Sequence, residues 1–392
     1  MTTAFIVTFI YAIVAFLYLM YRYYPILFME RKKYVSLKFF VTVVVPVYNE
    51  PASNLRNCLQ SIVDTEANKE IIIVDDCSTL EETEKVIEEF VSTYPDMVRF
   101  FRQDKNMGKR QAQSRAMVEA RGDLIITVDS DTLLAKDSII ELTKPFSDPL
   151  VGATTGEILV ENHYSNFLTA ILQARYWSAF NFEREGLSRF GVVTCCSGPL
   201  AAYRKSLMLD FNEDYVNERF LGNICTFGDD RHMTRMILES GNQVVYTPYA
   251  KARTYVPEGF WDFLRQQIRW KKSFIRESTL ILPYAFQKGG VLLIETLTGL
   301  IMPIAGIYVR IVLILLFFRF PFVLPFYFLM MIFTATMRSL LMIERKEWQL
   351  WLRNVVYAYL HETIIFWLFP VAFFTLHQNQ WGNRGLKTQV KS

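Results

Sequence analysis

At 392 residues the chain is long enough for one large globular core with further elements attached. A net charge of +3 is too small to argue for a nucleic-acid partner. The composition is 52% hydrophobic and 15% aromatic, and the excess sits at the two ends, which argues against a wholly soluble chain.

Residues 4–20 carry no charge, and Met29-Glu-Arg-Lys-Lys33 follows them. An apolar run of roughly 17–25 residues can cross a bilayer as a helix. Lys and Arg beside short membrane segments tend to stay cytoplasmic. The N-terminus is therefore expected outside, with residues 40–285 inside. No charged n-region or small-residue cleavage site is present, so the segment reads as an uncleaved anchor rather than a signal peptide.

Three β-branched runs follow: Val41–Val47, then Glu70–Asp76, then Asp123–Asp129. Helical composition over 53–64, 81–93 and 108–121 separates or follows them. This alternation predicts an α/β domain with a doubly wound, mostly parallel sheet. Ligands bind such sheets beyond the carboxyl ends of the strands. Those ends carry Tyr48-Asn-Glu50, Asp75-Asp76 and Asp129-Ser-Asp131. Carboxylates at i and i+2 suit one Mg²⁺ or Mn²⁺ on a pyrophosphate, and a plain Asp-rich turn is the bland alternative. Asp75-Asp76 suits uracil or ribose donors, or caps the next helix. Tyr48 to Glu50 suits the uridine face. Lys109 and Arg110 follow Gly108 at a helix start, a place for phosphate or a solvated basic turn.

Residues 165–188 read as one long helix, and Gly191 to Tyr203 as a mixed strand and turn region around Cys195-Cys-Ser-Gly-Pro199. The cysteines Cys58, Cys77, Cys195, Cys196 and Cys225 contain no CxxC pair, so reduced thiols are expected, with Cys195-Cys196 as lining. Gly228-Asp229-Asp230 opens a predicted helix over 229–240, followed by a strand at 243–247. Asp230 is placed to accept a proton from an acceptor hydroxyl while Asp229 caps or orients. Displacing UDP from an α-linked donor inverts the anomeric centre and needs one protein carboxylate, whereas a hydrolase needs two opposed ones. From Trp261 to about Leu282 the pattern is amphipathic and fits the membrane interface. On it, Gln266, Arg269 and Trp270 offer diphosphate donors and a ring for a sugar, or an interfacial anchor.

Two further crossings are expected at about 291–318 and 321–343. Residues 348–376 are apolar but interrupted by Arg353, His361, Glu362 and Pro370. Arg310 suits an acidic chain passing through the membrane, or an ion pair with Glu295.

The ordered set Asp75-Asp76, Asp129-Ser-Asp131, Gly228-Asp-Asp230 and Gln266-Gln-Ile-Arg-Trp270 resembles the processive family 2 glycosyltransferases. Asn106-Met-Gly-Lys-Arg-Gln-Ala112, Cys196-Ser-Gly-Pro-Leu200, Phe220-Leu-Gly222 and Trp381-Gly-Asn-Arg384 are most similar to bacterial and viral hyaluronan synthases. Chitin oligosaccharide synthases share most of the catalytic set. The resemblance implies a GT-A-like domain in which Asp131 holds the metal with Asp129 assisting. It implies that Asp76 and Tyr48 contact uridine, that Lys109 lies near the diphosphate and that Asp230 is the base. Gln266, Arg269 and Trp270 would close the donor and acceptor sites, with Cys196, Ser197 and Gly198 lining the acceptor pocket. Trp381 and Arg384 would cover the nucleotide, with Asn383 where the family usually has Thr.

The expected organisation is an anchor with basic linker (1–39), a cytoplasmic transferase domain (40–258), interfacial helices (259–288), two transmembrane helices (289–345) and an interfacial or re-entrant tail (346–392). A loop that gates a cytoplasmic site must itself be cytoplasmic, so 348–376 is expected to re-enter, kinked near Pro370. The implied activity is hyaluronan synthesis at the plasma membrane by a multi-pass protein. Its partners would be UDP-GlcNAc, UDP-GlcA, the growing polysaccharide and membrane lipid. UDP-GlcNAc alone would make it a chitin-type synthase. Homo-oligomerisation and a channel built by one chain both remain compatible. Transfer of one sugar to a lipid carrier, or a non-catalytic transporter, fits the motif set less well.

Overall fold

The computed structural model describes residues 2–378, so Trp381 and Arg384 lie outside the described residues. The chain divides into two units, each assembled from separate stretches. A sheet unit takes Lys33–Glu161, Val193–Tyr255 and the described residues from Leu376. A helical unit takes the first 32 residues, Asn162–Val192 and Val256–Thr375.

The strands are β1 (Val41–Val47), β2 (Lys69–Asp75), β3 (Val98–Arg102), β4 (Leu124–Thr127), β5 (Thr132–Leu134), β6 (Val151–Val160), β7 (Ala201–Arg204), β8 (Arg219–Phe220), β9 (Asn223–Ile224) and β10 (Gln243–Thr254). Eight form one sheet in the order β3-β2-β1-β4-β7-β6-β10-β5. The run β3-β2-β1-β4 is parallel, as is β6 with β10, while β7 and β5 pair antiparallel with their neighbours. The sheet is therefore mixed but mostly parallel, as expected. Every residue of β1 and β2 is buried, which a continuous β-branched run permits only when both faces are covered. The helices Ala52–Val63, Glu81–Thr93 and Lys109–Glu119 lie where composition put them.

Five strands escaped the sequence reading: the short β5, β8 and β9, and the longer β3 and β6. β3 stands at the sheet edge, where Arg99 and Arg102 interrupt the apolar run, a common way to blunt an edge. β6 carries Thr, Gly and Glu inside its ten residues and lacks a clean apolar period. The expected boundary of one domain over 40–258 is cut by the stretch 162–192, which groups with the helical unit. There, the Phe167–Ser178 helix passes into a π-helical turn, Ala179–Arg184, before Glu185–Ser188. Phe182 of that turn packs with Leu19, Tyr23 and Leu341, so its apolar side belongs to that core.

The helical unit contains two helices long and apolar enough to cross a membrane, Ile6–Phe28 and Gly290–Arg319. Val323–Arg338 has only 16 residues, about 24 Å of helix against roughly 30 Å of hydrocarbon. Trp348–Ile365 and Leu368–Phe374 form a bent pair, 44° apart, which counts as a third span if read as one. The bend precedes Pro370 because proline has no N–H and its ring clashes with the carbonyl four residues back, that of Phe366. Polar groups tie these helices together. Arg22 pairs with Glu295 at 2.6 Å, and the Tyr18 hydroxyl donates to the same carboxylate. Arg31 grips Glu185 through two bonds of 2.9 and 2.8 Å. Arg310 pairs with Glu362, not with Glu295, and the Tyr327 hydroxyl donates to Glu362 at 3.0 Å. That partner removes the argument that Arg310 awaits an acidic chain.

The Phe260–Lys288 helix packs closely on Gly290–Arg319. A Cβ at Gly299 would fall 2.6 Å from Cζ of Phe274. Gly299→Val is therefore expected to cost about 1–3 kcal/mol of overpacking. Thermal inactivation of the detergent-solubilised protein checks this, with the midpoint several degrees lower. An unchanged midpoint would mean that these helices part without penalty.

Candidate active site

The sheet unit gathers the acidic motifs. At the end of β1, Asn49 takes a left-handed φ of 48°, and its Oδ1 accepts the Thr79 N–H at 2.7 Å. Tyr48 beside it is half-buried. Glu50 is buried; its carboxylate accepts from Asn54 Nδ2 and from the Ser130 hydroxyl at 3.1 Å. Glu50 thus fixes the middle residue of Asp129-Ser-Asp131. After β2, Asp76 accepts the N–H groups of Met107 (2.7 Å) and Gly108 (2.8 Å). Burial pushes the Asp76 carboxyl above its usual range despite those two bonds. Asp76 therefore shapes the turn that delivers Lys109.

Lys109 is the hub. Its Nζ donates to Asp129 Oδ1 at 2.6 Å and lies 3.1 Å from Asp229 Oδ2. Burial alone would depress this ammonium, but the two carboxylates outweigh it and hold the group firmly charged. Gly198 lies against this pair: a Cβ there would fall 3.2 Å from Lys109 Nζ and 3.4 Å from Asp129 Oδ2. The adjacent carboxyls of Asp229 and Asp230 are driven apart. For Asp229, burial raises the pKa, but Lys109 and Arg110 more than offset it and the carboxyl is held low. For Asp230, burial and then the Asp229 charge both raise it. The Cys195 thiol donates to Asp230 Oδ2 at 3.4 Å, and the Arg231 N–H donates to Oδ1 at 2.8 Å. An anionic neighbour beside a carboxyl of raised pKa is the arrangement a general base needs near neutral pH.

Asp131 Oδ1 accepts from the hydroxyls of Thr132 (3.4 Å) and Thr254 (3.3 Å). Among the described residues there is no group of three or more His, Cys, Asp or Glu placed for a metal. The donor set is thus one or two carboxylates, the usual protein share for Mg²⁺ or Mn²⁺ when phosphates and waters complete the sphere. The residues present fit such an ion. Ser197 and Cys196 donate their backbone N–H groups to Thr155 (3.1 Å) and Thr234 (2.8 Å), and all five cysteines are free thiols.

Arg110 turns away from Lys109. It is buried, ion-paired with Glu218 at 2.8 Å, and donates to the Tyr215 and Phe227 carbonyls. Successive residues on a helix do not face the same way, so one cation of this pair serves the carboxylates and the other the core. Glu218 had no local signal in the sequence; nor did the contacts of Lys109 with Asp229 and of Cys195 with Asp230.

Gln266, Arg269 and Trp270 belong to the helical unit, on the Phe260–Lys288 helix. Their i, i+3, i+4 spacing places them on one face. Trp270 is 41% exposed, with its ring centroid 6.4 Å from that of Tyr176. Next to it, burial and then the Arg175 charge push the Lys271 amine down to about 8.

Residues 42–210 match the family model described as Glycosyl transferase family 2. The matched stretch, less than half of the chain, is similar to that family's transferase domain. That domain has the GT-A-like fold, and the carboxylate motifs at its strand ends fall in the matched region apart from Asp229 and Asp230, which follow it. Beyond the match, the chain is similar to the N-acetylglucosaminyltransferase of Azorhizobium caulinodans, 40% identical over 245 residues, or 62% of this chain and 61% of that protein. It is similar to the N-acetylglucosaminyltransferase of Mesorhizobium japonicum, 39% identical over 242 residues, or 61% of this chain and 57% of that protein. The matched stretch spans less than two thirds of these relatives' own length. Among solved structures, the glycosyl transferase fold is shared with a mannosyltransferase of Pyrobaculum calidifontis, solved in complex with GDP-Man and Mn²⁺. That likeness has a TM-score of 0.66 at 18% identity and covers 96% of this chain and 99% of the other.

Proposed function

We propose that this chain is a membrane-embedded processive transferase that builds a β-linked saccharide from UDP-GlcNAc, with UDP-GlcA as second donor, and so makes hyaluronan. The observation that carries the transfer chemistry is the Lys109 bridge between Asp129 and Asp229, with Asp230 next to it. The acceptor hydroxyl gives its proton to Asp230 as its oxygen attacks the anomeric carbon. The bond from that carbon to the UDP oxygen breaks on the opposite face, which inverts the centre. Lys109 compensates negative charge between donor and base. Asp131, with Asp129, would hold a divalent cation, which neutralises the departing diphosphate when bound. The resemblance assigns Trp270, whose ring is partly exposed, to the acceptor sugar, and Arg269 and Gln266 to the diphosphate. It assigns Tyr48 and Asp76 to the uridine, and Trp381 and Arg384, outside the described residues, to covering the nucleotide. Two apolar helices support a membrane location; we infer that this is the plasma membrane, with the transferase domain cytoplasmic and the product leaving through the helical unit.

The relatives' names support N-acetylglucosamine as a donor sugar. The strings shared with hyaluronan synthases support glucuronate as the other. A chitin-type synthase using UDP-GlcNAc alone is the second reading, favoured by the same names. Purified membranes given each donor singly and both together decide between them. Polymer made only with both donors, and cut by hyaluronidase, is expected. A chitinase-sensitive product from UDP-GlcNAc alone would replace the first reading by the second, and no transfer from UDP-GlcNAc would end both. Chelation is expected to abolish transfer at least 100-fold, about the weight of an electrostatic catalytic group. Mn²⁺ or Mg²⁺ should restore it in the wild type, but only weakly in Asp131→Asn.

A further inference from the structure

The hairpin of β8 and β9 plays no part in the chemistry above. Arg219 pairs with Ile224 and Phe220 with Asn223 across a two-residue turn. Leu221 and Gly222 hold φ of 50° and 80°, the left-handed pair that such a tight turn demands. The turn is fastened at both ends. Asn223 Nδ2 donates to the Leu221 carbonyl (3.3 Å) and to the His377 carbonyl (3.1 Å). At its base, buried Glu218 receives Arg110 (2.8 Å), His232 Nδ1 (3.3 Å) and Arg235 (3.5 Å), and its carbonyl accepts the Cys225 N–H at 3.0 Å. Arg110 follows Lys109 on its helix, and His232 and Arg235 lie on the helix that opens with Asp229 and Asp230. The hairpin is thereby locked to the two helices that carry the hub lysine and the base.

Beside it lies a cavity of about 620 Å³ lined by Arg219, Asn223, Ile224, Thr226, His377 and Gln378. Its size is within the usual range for small-molecule sites. Among the described residues its lining holds no carboxylate, only a guanidinium, two amides, a hydroxyl, an imidazole and one aliphatic chain. Arg219 is exposed, and its Nη1 reaches only as far as the Gly222 carbonyl at 3.5 Å. A guanidinium on a fixed hairpin among neutral polar groups is complementary to an oxyanion with hydroxyls around it. Thr226 of its lining stands three residues before Asp229 in the chain.

We propose that this cavity is an oxyanion-recognising saccharide subsite, with Arg219 as its specificity-determining cation. The inference rests on the reading that UDP-sugars are the donors. The oxyanion is then a uronate carboxylate or a nucleotide diphosphate, and the test separates the two. Binding of UDP and of glucuronate to the purified full-length protein is measured by calorimetry for wild type, Arg219→Gln and Arg219→Lys. Initial rates with both UDP-sugars are measured alongside. Loss of one charge-assisted hydrogen bond predicts about tenfold weaker binding in Arg219→Gln, partly restored in Arg219→Lys. Weakening confined to glucuronate, with a raised KM for UDP-GlcA alone, assigns the carboxylate. Equal weakening of UDP and both donors assigns the diphosphate. Unchanged binding of both probes overturns the subsite. A wild type that binds a probe but transfers no sugar overturns the transferase reading instead.

Discussion

Asp230→Asn is expected to lower sugar transfer by about 10³-fold while UDP binding stays within about twofold, because a general base contributes roughly 10²–10⁴ to rate and little to donor affinity. The substitution is isosteric, and an asparagine oxygen still accepts from the Cys195 thiol, so the local packing survives. The pH profile carries the sign. Burial and the Asp229 charge raise the Asp230 pKa, and the base acts only when ionised. Wild-type activity should therefore fall as pH drops through a value above the ordinary aspartate range, and the residual rate of Asp230→Asn should lack that limb. Radiolabelled UDP-GlcNAc incorporation across pH is the measurement. A variant retaining more than a tenth of wild-type transfer would remove Asp230 from the mechanism.

Lys109→Met has the second largest expected effect, and it acts on two properties together. Its ammonium separates Asp129 from Asp229, so its loss leaves two half-buried carboxylates facing each other. Breaking such a pair costs on the order of 2–4 kcal/mol here, reduced from the fully buried case because water still reaches Asp129. Transfer should fall at least about 100-fold as the electrostatic environment of the diphosphate is lost. With Lys109 gone, Asp229 loses the cation that holds it low, and its carboxyl should titrate upward. Lys109→Arg keeps the charge but not the point geometry, and should recover stability before activity. The unfolding midpoint in detergent and donor KM, measured on both variants, test this. Full activity in Lys109→Met would show the bridge to be incidental.

The strands β1, β2 and β4 were legible because a β-branched run ending in carboxylates announces both a buried strand and its polar exit. β3 and β6 were not, since the first is charged at an edge and the second lacks a period. The acidic motifs were legible as motifs, but their grouping was not. Lys109 and Asp229 are brought together by sheet topology, which no local spacing encodes. The pairing of Lys109 with Arg110 as twin phosphate cations overlooked helix geometry, which sends neighbours to different faces. In the helical unit, apolar runs announced the two long helices. The partners of Arg22, Glu295 and Arg310 depended on which helices met; for the last the sequence reading offered an acidic chain or Glu295, and the partner is Glu362.

The interleaving of the two units has a consequence for how the protein is made. Residues 162–192 leave the ribosome long before residues 256–375, the stretch they pack with. At roughly 5–20 residues per second, Trp177 and Phe182 wait on the order of ten seconds or more for Leu341, leaving part of their apolar surface uncovered meanwhile. A fragment stopped near residue 258 would wait indefinitely. Such a piece should aggregate rather than behave as a free-standing soluble enzyme, however complete its acidic residues are.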